Sequence, residues 1–541
     1  MRTALKVLTS LVVIYPMTGF ATEIEPGEEI IMKVRGILTI PPPAKSPARG
    51  DEGEGPFERL IILNGNMIDG TGAPLQGPTT IVVEGNHIVD IKMGGGMPDV
   101  ATLDEAQVKI IDASGQYVLP GFINSHAHFG TPTHAFAGSF TNPEYVSKLW
   151  LAHGITTVRD VGSLMGLSWT LDHKDRSARG DITAPRIRAY ALFPQVMESP
   201  EAARQWVRAV DRKGADGVKF TGAAPKLIEA AVAEAQKLGL KTAYHHAQIS
   251  VTQMNVLDSA RLGVDSMEHW YGLPEAMFEG RIVQDYPYAY NYNNEQDRFG
   301  EAGNLWRQAA APGSERWRAT IQVLRDLDFT LDPTFTVYEA NRDVMRARQA
   351  EWHAAYSMPY ITRAFESNPR IHGSYFFDWT TAHEVVWKRN FDRWMAFVND
   401  YKNAGGRVTV GSDAGFIYKL YGFAYIRELE LLQEAGFHPL EVVQAATIKG
   451  AELLGLDAEI GSIEIGKKAD LIIVRENPLV NFKVLYGTGH RWYNKAADRM
   501  EQTKGILYTI KDGTLFDAQK LLADIRQLVA KKKAEEMNTS P

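Results

Sequence analysis

Residues 117–130 read YVLPGFINSHAHFG, an apolar run that passes a Pro-Gly and ends on two histidines one residue apart. In an extended strand, alternate side chains share a face. His126 and His128 therefore project together, and neutral imidazoles are ligands for zinc and related metals. The same pair also fits ordinary hydrogen-bonded histidines, so taken alone it decides neither way. An apolar body with a polar tip is the pattern of a barrel strand whose end carries chemistry.

Ionisable residues recur at the ends of other short apolar runs. Arg159-Asp160 close one, Lys219 lies between Val218 and Phe220, and His245-His246 close another. Glu268-His269 and Ser412-Asp413 end two more. Each could be a polar cap, but their convergence on one rim argues for a shared site. The runs are Phe122–His128, Ile155–Asp160, Arg186–Ala191, Gly217–Phe220, Leu240–His245, Val264–His269, Phe329–Phe335 and Arg407–Asp413. They alternate with helical periods such as Glu201–Lys213, Lys226–Leu238 and Phe423–Ala435. That alternation predicts parallel βα units. Eight units over residues 117–454 predict an α/β fold, a (β/α)8 TIM-like barrel with its active site at the C-terminal strand ends.

Short β-like runs with turn signals fill residues 57–116 and return over 455–516. The simplest topology joins them as one small β-sandwich domain with the barrel inserted between. Residues 22–56 read as an N-terminal segment and a linker rich in Pro, Gly and charge. Residues 517–541 read as a helical tail. Met1–Ala21 carries Arg2 and Lys6, an apolar run from Val7 to Phe20, and a small-x-small end at Gly19-Phe20-Ala21. It reads as a cleaved signal peptide, since a spanning helix needs roughly 20 apolar residues and Pro16 interrupts this run. A periplasmic or secreted protein is expected, with no membrane attachment after cleavage. The 541 residues contain no cysteine, which excludes disulfides, thiolate metal sites and a Cys nucleophile. A net charge of −7 gives no support for a nucleic-acid partner.

The stretches VLPGFINSHAH (118–128), GITTVRDVG (154–162), GADGVKF (214–220), GVDSMEH (263–269), GSDAG (411–415), ATIKGAELLGL (446–456) and GSIEIGKKADLIIV (461–474) together resemble the amidohydrolase superfamily. The resemblance is to its metal-dependent branch of prolidase-like and imidazolonepropionase-like hydrolases. It implies two divalent metal ions, with zinc the default for such ligands and manganese or cobalt also suited. It implies that His126, His128 and Asp413 hold one ion, that His245 and His269 hold the other, and that Lys219 bridges both as a carbamate formed with CO2. Free lysine is a cation near pKa ~10.4, but burial lowers that value and leaves an amine able to react. The alternative for Lys219 is an ion pair inside the barrel. His245 and His246 cannot both point inward from a regular strand. His245 is taken as the ligand and His246 as part of the pocket wall, with reversed roles the alternative.

The implied chemistry is attack of a metal-bridging hydroxide on a carbonyl, with Asp413 as general base and then general acid. This describes an exported hydrolase of amide or peptide-like carbon–nitrogen bonds. Hydrolysis of cyclic amides, lactones or other ester-like bonds is the alternative, and a non-catalytic relative is disfavoured by the intact ligand set. Arg159-Asp160 reads as a structural pair at the rim, with a substrate role for Arg159 the alternative. Two aromatic-rich insertions, 270–315 and 336–379, depart from the compact family pattern and shape the pocket or simply pack. Tyr271, Arg342, Arg346 and His372 within them are candidates for contacting substrate, the last three for gripping a carboxylate. The expected partner is a small molecule or short peptide, and the aromatics leave room for a homo-oligomer contact.

Overall fold

The structure is a computed structural model that describes residues 43–98, 108–369 and 372–539. The leader expected over Met1–Ala21 lies outside these residues. The chain opens with β1 (Arg59–Met67), β2 (Gln76–Glu84), β3 (His87–Met93), β4 (Val108–Asp112) and β5 (Tyr117–Pro120). β1 runs antiparallel to β2 and parallel to β4 and β5.

The parallel strands follow: β6 (Phe122–Ala127), β7 (Ile155–Gly162), β8 (Arg186–Leu192), β9 (Gly217–Phe220), β10 (Lys241–Tyr244), β11 (Ser266–Glu268), β12 (Thr330–Asp332) and β13 (Arg407–Val408). They pair in chain order as one eight-stranded sheet. Ser125 N donates to Val410 O at 2.8 Å and Asp413 N to His126 O at 2.9 Å, tying the segment after β13 back to β6. The result is a TIM-barrel-like α/β fold in which each of the expected runs contributes a strand. Helices cover the outside of the sheet, so most strand residues are buried whichever way they point. The last runs pair over fewer residues than their apolar length because the backbone turns away at its tip. His269, Thr334 and Asp413 take positive φ values of 63°, 46° and 43°, which ends regular pairing where the polar residues begin.

After the barrel come β14 (Leu471–Val474), β15 (Arg491–Asn494), β16 (Arg499–Gln502), β17 (Ile506–Lys511) and β18 (Thr514–Asp517). β14 inserts between β5 and β17, so both ends of the chain build one mixed sheet in the order β18-β17-β14-β5-β1-β2-β3, with β4 beside β1. This composite sheet stands where the small β-sandwich is expected. β15 and β16 form a separate ribbon. Strand alternation gives β14 two jobs. Leu471 and Ile473 join the composite sheet's core with Leu60, Ile81 and Ile510, while Ile472 and Val474 join the barrel's core. Arg186 at the start of β8 adds a polar clamp, with its guanidinium on Asp470 and Asp512 of the composite sheet.

The stretch read as a linker is fastened along its described part. Ser46 N donates to His173 Nε2, Arg49 N to Asp181 O, and Glu54 bridges Leu515. The tail helix, Ala518–Thr539, buries Leu521, Leu522, Ile525 and Val529 against the barrel. No described helix is long and apolar enough to cross a membrane.

His153, at the end of helix Pro143–Ala152, joins the barrel wall to the segment after β14. Its Nδ1 contacts Leu149 O at 2.8 Å, and Gly487 N donates to its Nε2 at 3.1 Å. That arrangement requires the neutral ring, and burial lowers its pKa to about 4. The unfolded chain therefore takes up a proton below about pH 6.5 that the folded chain refuses. Stability from this ring is full above about pH 6.5 and should fall by up to about 1.4 kcal/mol per pH unit towards pH 4. Urea titrations at pH 7, 6 and 5 should show a shallower decline in a His153→Gln variant than in the wild type.

Candidate functional site

The barrel's C-terminal rim gathers a buried polar cluster. His126 Nδ1 lies 2.5 Å from Glu268 Oε2, and His126 Nε2 lies 3.6 Å from Asp413 Oδ1. His128 Nε2 is 3.3 Å from the same Asp413 oxygen, and His269 Nε2 is 3.7 Å from Asp413 Oδ2. The His245 and His269 rings stand 4.8 Å apart in an edge arrangement. Ligand atoms of His126, His269 and Asp413 fall within 4.8 Å of one another, and so do those of His126, Glu268 and Asp332. Two of the positive-φ residues, His269 and Asp413, sit in this cluster, and strained backbone of this kind concentrates at functional sites. Gly411 is required by close approach: a Cβ there would lie 2.4 Å from Asp332 Oδ1 and 2.5 Å from His126 Cβ.

Electrostatics prepare these groups for a cation. Burial lowers the pKa values of His126 and His245, and lowers that of His269 to about 3, so the rings are neutral at pH 7. Burial opposes ionisation of Asp413, but His126, His128 and His269 overcome it and hold the carboxyl well below its usual range. Lys219 on β9 is buried, its Nζ has no hydrogen-bond partner among the described residues, and burial lowers its pKa to about 8. Its Nζ stands 4.0 Å from Glu268 Oε2, so an ion-pair partner and a reactive amine are both within its reach. Neutral imidazoles, an anionic carboxylate and an unpartnered buried amine fit a divalent metal site.

Residues 392–516 match the amidohydrolase family. The chain carries an amidohydrolase-family domain. A 5-methylthioadenosine/S-adenosylhomocysteine deaminase of Desulforudis audaxviator is 22% identical over 77% of this chain and 85% of its own length. A 5'-deoxyadenosine deaminase of Methanobrevibacter smithii is 46% identical over 61 residues, 11% of this chain and 14% of that relative. For the first two curated relatives the aligned stretch spans 14% and 19% of their length. Among solved structures, a Xaa-Pro dipeptidase with bound methionine aligns at TM-score 0.56 and 21% identity over 85% of this chain and all of its own. A bottromycin amidohydrolase aligns at TM-score 0.59 and 18% identity, covering 87% and 91%. At these identities the likeness is one of fold.

Within this barrel the expected residues separate into groups. His126, His128, Lys219, His245, His269 and Asp413 lie at one end of the barrel. His246 turns away: its Nε2 pairs with Ser259 Oγ at 2.8 Å and its ring stacks on Tyr244. Tyr271 is buried, with its ring 6.2 Å from His245.

The Arg159-Asp160 rim pair does not form, because neighbours on a strand face opposite ways. Arg159 instead donates to Ser125 O, to Ser266 Oγ at 2.9 Å, to Glu268 Oε1 at 2.8 Å and to Asp332 Oδ2 at 3.3 Å. It is fully buried among protein groups. Asp160 accepts from Thr170 Oγ1 at 2.9 Å, and burial raises its pKa to about 6. Arg342 is held by Glu434 at 2.7 Å and lies over Phe391, and His372 pairs with Glu295 at the surface.

Asp332 was not among the expected rim residues, and Glu268 was placed on the rim without a role. Glu268 stood in plain view beside His269. Asp332 ends β12 within LDPTF, where position at a strand tip was the available signal. Burial and the neighbouring Glu268 charge raise the Asp332 pKa, whereas burial of Glu268 is overcome by Arg159, Lys219 and His126. Replacing Arg159 by Met should leave both carboxyls without their cation and cost about 3–5 kcal/mol, the usual result of removing one partner of a buried pair. The midpoint and slope of guanidinium unfolding measure that loss.

Proposed function

We propose that this protein is an exported, dinuclear metal-dependent hydrolase of amide or peptide-like carbon–nitrogen bonds. The observation that carries the reading is the meeting of His126, His269 and Asp413 ligand atoms within 4.8 Å, with His128, His245 and Lys219 on the same rim. In this reading His126, His128 and Asp413 would hold one ion, His245 and His269 the other, and Lys219 would serve as a carbamate between them. Such ions polarise a carbonyl oxygen and make water a nucleophile at neutral pH.

The chain's own groups supply the rest. Burial keeps the His126, His245 and His269 imidazoles neutral, so protons do not compete with an ion for them. Asp413, ionised at neutral pH, accepts the proton of the attacking water and delivers it to the departing amine nitrogen. Tyr271 and Tyr338 wall the site beside His245 and His269 and exclude bulk water. Export rests on the charge and apolar pattern of Met1–Ala21. A deaminase among the relatives, aligned over 77% of this chain, favours amine release from a heterocycle as the second reading.

Purified mature protein should deplete members of a pool of Xaa-Pro and other dipeptides, N-acyl amino acids, cyclic imides, lactones and purine nucleosides, read by mass spectrometry. Chelation should stop the loss, and added zinc or manganese should restore it. Asp413→Asn should lower kcat by about 10²–10⁴-fold with the fold intact by circular dichroism. An Asn variant at wild-type rate would remove Asp413 from the proton path. Metal-replete protein that attacks only nucleosides would move the assignment to the second reading.

A further inference from the structure

We infer that Thr334 is a positioning residue, whose hydroxyl fixes the His269 ring with its proton on Nδ1 and the Nε2 lone pair turned to the rim. This rests on the metal-site reading above, in which His269 holds an ion. It adds the residue that makes one particular ring nitrogen the ligand.

Thr334 follows β12 at the start of helix Phe335–Arg342. A threonine in that place ordinarily accepts a hydrogen bond from the first turn of its own helix. The Thr334 hydroxyl makes no such bond. It lies 2.5 Å from His269 Nδ1 and 2.7 Å from Pro333 O. A hydroxyl has one hydrogen and a carbonyl oxygen only accepts, so that hydrogen goes to Pro333 O. The Thr334 oxygen is then an acceptor towards His269, and the ring donates from Nδ1. A neutral imidazole has a single N–H, which leaves Nε2 bare. Nε2 faces Asp413 Oδ2 across 3.7 Å. Two buried acceptors that face each other suit a shared cation, and a ligand histidine needs a partner of this kind on its other nitrogen.

The backbone is arranged around this contact. Thr334 has φ 46° and ψ 47°, the left-handed region that a β-branched residue rarely adopts. Such strain persists only where the surroundings fix it. Glu428, on helix Phe423–Glu434, does so from across the barrel wall. Its carboxylate accepts from Phe335 N at 2.8 Å and from Thr336 N at 2.7 Å, which caps the helix that Thr334 leaves uncapped. Thr336 Oγ1 donates to Ser412 O at 3.2 Å, one residue before Asp413. The same clamp therefore holds the support of His269 and the segment that carries Asp413. Thr334, Thr336, Ser412 and Glu428 are all fully buried, so bulk water does not compete for the Nδ1 proton.

The test contrasts Thr334→Ser with Thr334→Ala, which differ by one oxygen atom and both lack the β-branch that the left-handed backbone opposes. Proton–nitrogen correlation spectra of metal-free protein with isotope-labelled histidine locate the ring proton at neutral pH. The His269 signals are those lost in His269→Gln. Wild type and Thr334→Ser should carry the proton on Nδ1. In Thr334→Ala the hydroxyl is gone, and Asp413 should draw the proton to Nε2. Zinc affinity, read by competition with a chromophoric chelator, should stay within about threefold of wild type in Thr334→Ser and fall about 10–100-fold in Thr334→Ala.

A wild-type His269 protonated on Nε2 would overturn the inference without any variant, so the test survives a Thr334→Ala protein that fails to fold. Equal zinc affinity in the two variants would remove the role of Thr334 and keep the metal-site reading. A hydroxyl-dependent ring proton in a protein that binds no zinc would keep the hold of Thr334 on His269 and remove the metal-site reading.

Discussion

Two buried carboxylates at the centre of a barrel are the constraint to which the rest of the structure answers. Glu268 and Asp332 are register partners on β11 and β12, and both are fully buried. Moving an ion out of water costs several kcal/mol even after the protein relaxes. Arg159 reaches both carboxylates from β7 and meets Ser125 O and Ser266 Oγ with its remaining donors. One guanidinium thus links β6, β7, β11 and β12 across the barrel interior. It also orders the site, because Glu268 faces His126 with its other oxygen. A lysine would supply a point charge where this geometry uses a rigid fork.

The composite sheet matters for the same reason. β5 belongs to that sheet and β6 to the barrel, and only Gly121 separates them. Gly121 N donates to Asp470 O at 2.7 Å, and a Cβ at Gly121 would lie 2.2 Å from Thr156 Oγ1. The strand that carries His126 and His128 is therefore launched from a fixed point. Asp470 also pairs with Arg186, so one residue sets both the sheet-to-barrel crossing and the polar clamp beneath it. The two-faced β14 completes the attachment by contributing to both cores.

Much of this was legible in the sequence because it depends on periodicity. The alternation of apolar runs and helical periods located each barrel strand, and strand tips located His126, His128, Lys219, His269 and Asp413. The ambiguity at His245-His246 was recognised from strand geometry, and the structure turns His246 towards Ser259. Residues whose role depends on distant partners were not legible. Arg159 and Asp160 are adjacent in sequence but face opposite sides of β7, so adjacency suggested a pair that the strand forbids. Arg342 looked available until Glu434, on a helix 92 positions later, appeared beside it. The described end of the stretch read as a linker has the composition of a free segment, yet its backbone is bonded to a barrel helix, a barrel loop and β18. Composition reports flexibility only where no acceptor lies nearby.

The insertions add a different kind of order to the rim. Glu295 and Gln296 of the first insertion hold His372, Gly373 and Asp378 of the second. Trp270, Trp306, Tyr338, Trp387 and Trp394 pack beneath them in tilted, edge and stacked contacts. Most of the aromatic excess is thus spent on joining the insertions to the barrel, with few rings left to face the site. Tyr271 and Tyr338 belong to both sets, since each touches this packed layer and a histidine of the rim. A change in the insertions would therefore reach the buried His–Asp cluster of the rim through packed rings. The barrel strands can keep one reaction centre while residues of the insertions alter what approaches it, because the two depend on different parts of the chain and meet at only a few side chains.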